Sequence, residues 1–311
     1  MSKVDGHPSL IKIVKTTLDI WPEHCSYCDT RFENDTPEFL DRMEQVAKLV
    51  IANTGDDLPR YCKDYRWMCE EFLKEELYFA RHNEYRLSTF EEANREVYSN
   101  AEYMPRYVRG ILISQILWDP HARAFDYFRS QFLDQHENGT NYLEVGPGHG
   151  LFLYFASQSK KIASLEAWDV SESSIAETRS ALNRLGVDRE ISIVLQDVLQ
   201  APSRREEFDA AVISEVLEHL ERPDLALQSL HAALRPGGRI FINAPINSPA
   251  PDHIYLWRTT DEFVDFVGAQ GFEIESAQFF PVTGVNLDRA KRKNMSISCV
   301  VIGKKIAGET V

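Results

Sequence analysis

Residues Asn141 to Gln158 read NYLEVGPGHGLFLYFASQ. The apolar run Tyr142-Leu-Glu-Val leads into three glycines and then into a second apolar run. A strand that turns sharply on glycine into a helix is how an α/β fold offers backbone N–H groups to a nucleotide. The dinucleotide fingerprint G-x-G-x-x-G wants its third glycine where this chain has Leu151; here Gly146, Gly148 and Gly150 form G-x-G-x-G. No G-K-[ST] follows, so a Walker loop is excluded as well. Glu144, just ahead of the turn, would repel a pyrophosphate but suits a cationic group such as an amine or a sulfonium.

From Tyr142 onward strands and helices alternate, the signature of a parallel sheet covered on both faces. The strands are YLEVG, SLEAWDV, ISIVLQD, FDAAVIS and RIFINAPI, with helices between them that include Ser171–Leu185 and Glu218–Leu234. A helix over Thr260–Gln270 follows, then strands FEIESAQFF and SISCVVIG, whose short connection makes them antiparallel. The second strand ends at Asp169, an acid placed to accept ribose hydroxyls. The third ends at Asp197-Val198, where a side-chain acceptor and a backbone N–H can meet an adenine edge. Three strand tips thus build a site for an adenosine with a charged tail.

The stretches LEVGPGHG, AWDVSESSI, LQDVLQ, FDAAVISEVLEHLERP and LRPGGRIFINAP, in that order, resemble the successive motifs of class I S-adenosylmethionine-dependent methyltransferases. The resemblance runs from Asn141 to about Lys305 and is nearest to the small-molecule branch of ubiquinone and menaquinone biosynthesis. It implies a doubly wound, seven-stranded Rossmann-like sheet with an antiparallel last strand, and S-adenosylmethionine as cofactor. By the same resemblance Glu144, Gly146 and Gly148 line the methionine end, Asp169 holds the ribose, and Asp197 with Val198 contacts adenine.

Methyl transfer needs alignment of acceptor and methyl, and a base where the nucleophile carries a proton. Ser214-Glu-Val-Leu-Glu-His-Leu220 follows the fourth strand, and Ala250-Pro-Asp-His-Ile-Tyr-Leu-Trp257 follows the fifth on the same sheet edge. On a helix Glu215, Glu218 and His219 would share one face. Glu215, His219 and His253 are therefore the catalytic candidates, and three readings stay open. His219 or His253 acts as general base; or Glu215, Glu218, His219 and His253 bind Mg²⁺ or another divalent metal, an arrangement similar to one in small-RNA 3′-end methyltransferases; or the box is structural. Tyr255 and Trp257 are available to wall an apolar acceptor.

Residues 1–135 read as an all-helical N-terminal domain and 136–311 as the cofactor-binding domain. Thr36-Pro-Glu opens one helix that Gly55 stops, and Ser88-Thr-Phe-Glu-Glu opens another. The helical part carries no recognised motif; it is expected to cover the cofactor, shape the acceptor pocket or form a homo-oligomer. Its lid candidate is Tyr98–Gly110, through Tyr103, Tyr107 and Arg109. The net charge is −14 and evenly spread, with 17 basic against 23 acidic side chains in residues 1–130. That balance argues against nucleic-acid partners. The basic run Arg289-Ala-Lys-Arg-Lys is expected in a solvated loop. No secretory h-region or membrane span is visible, so a cytoplasmic protein is expected. Cys25 and Cys28 have the spacing of half a zinc site, but idle thiols are the default among five cysteines. The expected activity is methyl transfer to O, N or C of a small, partly apolar acceptor. Its rivals are a metal-assisted RNA 2′-O-methyltransferase and a non-catalytic cofactor-binding scaffold.

Overall fold

Capping chemistry sets the helix boundaries in the first half of the chain. Thr36 Oγ1 accepts the Phe39 N–H at 3.3 Å, Pro37 fills the first turn, and Gly55 leaves the helix at φ 57°. Thr89 and Glu92 form a reciprocal capping box. The computed structural model describes residues 2–100, 102–202 and 204–306; Met1, Ala101, Ser203 and residues 307–311 lie outside the described residues. The helical half comprises α1 (Pro8–Ile20), α2 (Cys25–Phe32), α3 (Pro37–Thr54), α4 (Leu58–His82), α5 (Phe90–Ala93), α6 (Tyr103–Leu117) and α7 (Asp119–Tyr127). After α5 the chain makes one wide turn over Asn94–Tyr98, with the Ser99 N–H reaching the Asn94 carbonyl at 2.7 Å.

The second half runs β1 (Thr140–Val145), α8 (Leu151–Gln158), β2 (Ile162–Asp169), α9 (Glu172–Arg184), β3 (Ser192–Leu195) and β4 (Phe208–Ser214). It continues through α10 (Pro223–Ala233), β5 (Leu234–Ile246), α11 (Thr260–Gly268), β6 (Phe272–Pro281), α12 (Leu287–Arg292) and β7 (Ile297–Lys305). The sheet order is β3-β2-β1-β4-β5-β7-β6. β1 to β5 pair in parallel, while β7 lies antiparallel between β5 and β6. The expected fold class is therefore the observed one. The strand order reverses direction between β1 and β4, and the crevice outside their carboxyl ends is the ligand position of such sheets.

Three local expectations are corrected. A helix from Glu218 does not form: Leu217–His219 is a single 3₁₀ turn, and α10 begins only at Pro223. Proline lacks the N–H and its ring clashes with the carbonyl four residues back, so it can open this helix but not sit inside it. The third strand stops at Leu195, because Asp197 Oδ1 turns back to accept the Leu199 N–H at 2.9 Å. The basic run lies on α12, capped by Asn286 Oδ1 on the Arg289 N–H at 2.9 Å, rather than in a loop.

The helices end at Gln135 and β1 opens at Thr140, yet the apolar core crosses that point. Phe128 packs on Phe152 at 4.5 Å and on Phe241 at 5.4 Å between ring centroids, joining the segment after α7 to α8 and β5. Among the described residues no helix is long and apolar enough to cross a membrane.

α4 and α6 approach closely beside the crevice, at Gly110. A Cβ at Gly110 would stand 2.8 Å from Met68 Sδ and 3.3 Å from the Asp64 carbonyl oxygen. Gly110→Val is expected to push α6 away from α4 and to lower stability by about 1–3 kcal/mol. An unchanged Tm in thermal unfolding would show that this approach is not needed.

Candidate active site

A cavity of about 890 Å³ opens at the carboxyl ends of β1, β2, β4 and β5, and residues of α4 and α6 form its other wall. Gly146 has φ 66°, and a Cβ there would meet Val216 Cγ2 at 2.6 Å, so only glycine lets β1 turn under the crevice. Gly148 follows at φ 47°. Glu144, Gly146, Gly148 and Asp169 all line the cavity.

Glu144 is buried, and its Oε2 accepts the Tyr142 hydroxyl at 2.9 Å. Burial pushes its carboxyl up to about 8, against the pull of the Tyr142 hydrogen bond. Asp169 Oδ1 accepts the Ser171 N–H at 2.9 Å, which fixes the carboxylate at the strand tip and leaves Oδ2 for a ligand. Burial raises this carboxyl too, against the N–H groups of Ser171 and Val170. Asp197 and Val198 are not on the cavity wall; the early end of β3 and the Asp197–Leu199 turn hold that acid locally.

The second group of candidates meets across the cavity floor. Glu215 follows β4 at φ 54°, a left-handed conformation costly for a residue with a Cβ. Its N–H reaches the Asn243 carbonyl at 2.8 Å, and its Oε1 accepts the Asn243 amide, also at 2.8 Å. That kink, rather than a helix face, brings the Glu215 carboxyl against Glu218. Burial first, then the Glu215 charge, push the Glu218 carboxyl well above its usual range.

His219 donates Nδ1–H to the Asp252 carbonyl at 3.1 Å, and His253 donates Nδ1–H to the Ser248 carbonyl at 2.6 Å. A carbonyl can only accept, so each neutral ring keeps a bare lone pair on Nε2. Those two atoms lie 3.7 Å and 3.9 Å from Glu218 Oε1. Both Glu218 oxygens are buried with no hydrogen-bond partner. Three acceptor atoms thus converge with no donor among them, which is stable only around a proton or a cation.

Sequence reasoning named Tyr107 for the lid but missed Tyr85 and the hydrogen bonds that brace this floor. The Asp252 carboxylate accepts the hydroxyls of Tyr98 at 3.2 Å and Tyr107 at 2.9 Å. The Tyr85 hydroxyl accepts the Ser248 N–H at 3.0 Å. Within the lid candidate, Tyr107 does reach the site, but Tyr103 packs on Trp67 and Arg109 is ion-paired to Asp64 at 2.6 Å. Trp257 is buried against Phe263 and Phe266, and the partly buried Tyr255 lies tilted against it at 4.6 Å, so Trp257 is core and neither of the two lines the cavity. All five cysteines are free; burial pushes the Cys28 thiol up to about 12, and no cysteine joins a metal-like cluster among the described residues.

A sheet of this order, with a glycine turn at its switch point and acids at its strand tips, defines the class I methyltransferase architecture. Residues 143–242 match the family model described as a methyltransferase domain, so the chain carries a methyltransferase domain there, in a sheet of the class I strand order. Over 111 residues the chain is 26% identical to the ubiquinone biosynthesis O-methyltransferase of Pseudomonas entomophila, covering 36% of this chain and 47% of that one. A protein of the same description from Idiomarina loihiensis is 26% identical over 156 residues, covering 45% of this chain and 63% of the other. The match therefore spans about half the length of these curated relatives. Among solved structures, one of a Galdieria sulphuraria protein assigned as a sarcosine dimethylglycine methyltransferase superposes with a TM-score of 0.50 at 12% identity. It covers 62% of this chain and 88% of that one, a likeness of fold alone.

Two measurements check the cofactor end. Asp169→Ala removes charge-assisted hydrogen bonds of roughly 1.5–3 kcal/mol, so calorimetry with S-adenosylmethionine is expected to show affinity at least about tenfold weaker. For Glu144, a folded-state value of about 8 lies above the unfolded one, so its contribution to stability is full below the unfolded value and fades as pH rises toward 8. Glu144→Gln is thus expected to flatten the fall in Tm of the ligand-free protein from pH 6 to 8. A variant with the wild-type slope would mean that this carboxyl titrates normally.

Proposed function

We propose that the protein is an S-adenosylmethionine-dependent methyltransferase acting on O, N or C of a small, partly apolar acceptor. The supporting observation is one continuous cavity that joins the Glu144–Gly148 turn and Asp169 to the Glu218, His219 and His253 cluster, beneath α4 and α6. The cofactor fits this wall: glycines leave the turn open, Asp169 keeps an oxygen free, and a buried carboxyl at Glu144 suits a cationic tail. When bound, the cofactor supplies a methyl group activated on a sulfonium. Glu144 and Asp169 orient it, and the helical wall keeps water from the acceptor. His253 Nε2 takes the acceptor's proton in the general-base reading, with its ring held by the Ser248 carbonyl.

The unpartnered oxygens of Glu218 favour a second form of the same reading. Glu218, His219 and His253 offer ligand atoms within 4.8 Å of one another, and the backbone carbonyls on both Nδ1 atoms orient the rings as in known metal sites. A divalent cation such as Mg²⁺ or Mn²⁺ held there would polarise an acceptor oxygen. Glu215, engaged by Asn243, stands behind this trio. An RNA acceptor is disfavoured: no Lys or Arg lines the cavity among the described residues.

Release of S-adenosylhomocysteine, followed across a library of small hydroxylated and amino acceptors, tests the reading. His253→Ala is expected to lower turnover by about 10²-fold or more, with cofactor affinity little changed. Where the cation participates, EDTA abolishes turnover and Mg²⁺ or Mn²⁺ restores it. Cofactor binding without turnover on any acceptor would favour the scaffold role, and RNA binding that falls steeply with salt would favour the nucleic-acid rival.

A further inference from the structure

The outer lobe of the cavity lies along one face of α4. Cys69, Phe72, Leu73, Glu76, Phe79 and Ala80 line it, at spacings of three and four residues that bring them to one side of the helix. Five of these are apolar or nearly so; Glu76 alone is charged. Glu76 is exposed on this wall and has no hydrogen-bond or ion-pair partner among the described residues, and the protein around it partly desolvates its carboxyl, which raises it. Leu73, 54% exposed, and Val108 stand with it at the rim.

The ligands of the other cavity acids are accounted for. Glu144 accepts from Tyr142, Asp169 from Ser171, Glu215 from Asn243, and Asp252 from Tyr98 and Tyr107. Glu218, fully buried and unpartnered, belongs to the histidine cluster on the floor. Glu76 is left as a carboxylate without a counter-ion, in a lobe whose other surface is aromatic. Phe72 meets Trp118 edge-on at 5.3 Å, and Trp21, His24 and Tyr27 stack at 4.0 and 4.4 Å on the same wall.

We propose that this lobe recognises a positively charged nitrogen on the acceptor, an arylalkylammonium group, with Glu76 as its counter-ion. The inference rests on the methyl-transfer reading for the word acceptor, and on the lobe itself for the charge. A carboxylate beside ring faces attracts an ammonium by Coulomb and cation–π terms together. An anionic acceptor would meet six carboxyl groups and no Lys or Arg on the cavity wall among the described residues, so the same wall disfavours it. The group bound in this lobe is not the one methylated, because the reacting atom must lie near the cavity floor.

The test uses the full chain in EDTA, with and without saturating S-adenosylhomocysteine, titrated with phenethylammonium and with 3-phenylpropionate. Calorimetry and tryptophan fluorescence give the two affinities. The ammonium is expected to bind about tenfold tighter than the carboxylate or better, the size of one charge-assisted hydrogen bond. Glu76→Gln is expected to reduce that preference to about twofold, leaving the S-adenosylhomocysteine affinity unchanged. Equal affinities in the wild type, a preference that survives Glu76→Gln, or one lost in Glu218→Gln instead would overturn the proposal. Failure to bind S-adenosylhomocysteine would count against the methyl-transfer reading alone, since the ammonium preference is read on the unloaded protein as well.

Discussion

Asp252 ties the chemistry of this molecule to its architecture. Its carbonyl accepts Nδ1–H of His219, while its carboxylate accepts one hydroxyl from the turn after α5 and one from α6. A hydrogen bond to a charged acceptor is worth about 1.5–3 kcal/mol, so the two tyrosines hold the loop after β5 firmly. The next residue in that loop is His253. The helical half is therefore no mere cover: the direction in which both imidazole lone pairs point depends on hydroxyls that it supplies. Asn53 of α3 adds a grip on the other side, donating to the His149 carbonyl at the glycine turn while accepting from Arg184.

The sheet was legible because its determinants are local. Apolar runs between turn residues mark each strand, and the glycines of the first turn are demanded by a positive φ and by Val216 lying under Gly146. Asp169 was legible for the same reason, as an acid on the last residue of a strand. The end of β3 was misplaced at Asp197 because two residues decide whether an acid ends a strand or closes a turn. That choice was made by the Leu199 N–H, not by the apolar pattern.

The histidine cluster was half legible. The spacing of Glu215, Glu218 and His219 suggested a helix face, and the three do converge, but through a left-handed kink that Asn243 holds from the neighbouring strand. A long-range hydrogen bond has no local signature. The same holds for Tyr98 and Tyr107, which are 154 and 145 residues from Asp252 in sequence. Trp257 illustrates the converse error: an aromatic in a loop reads as pocket wall or core alike, and only its packing on Phe263 decides.

The electrostatic character of the cavity draws these parts together. Its wall holds six carboxyl groups and five imidazoles, and no Lys or Arg among the described residues. Burial pushes Glu144 up to about 8 and Glu215 up to about 7, and holds Glu218 well above its usual range, so in the empty protein part of this charge is suppressed by protons. A cationic guest restores the charged forms and gains their attraction at the same time. On the proposed reaction the donor enters as a sulfonium and leaves as an uncharged thioether. The wall that attracts the first has no comparable hold on the second at that atom, so transfer of the methyl itself weakens the grip on the spent cofactor. On that proposal an excess of buried acid, which costs stability in the resting protein, would favour the charged donor over its product without any moving part.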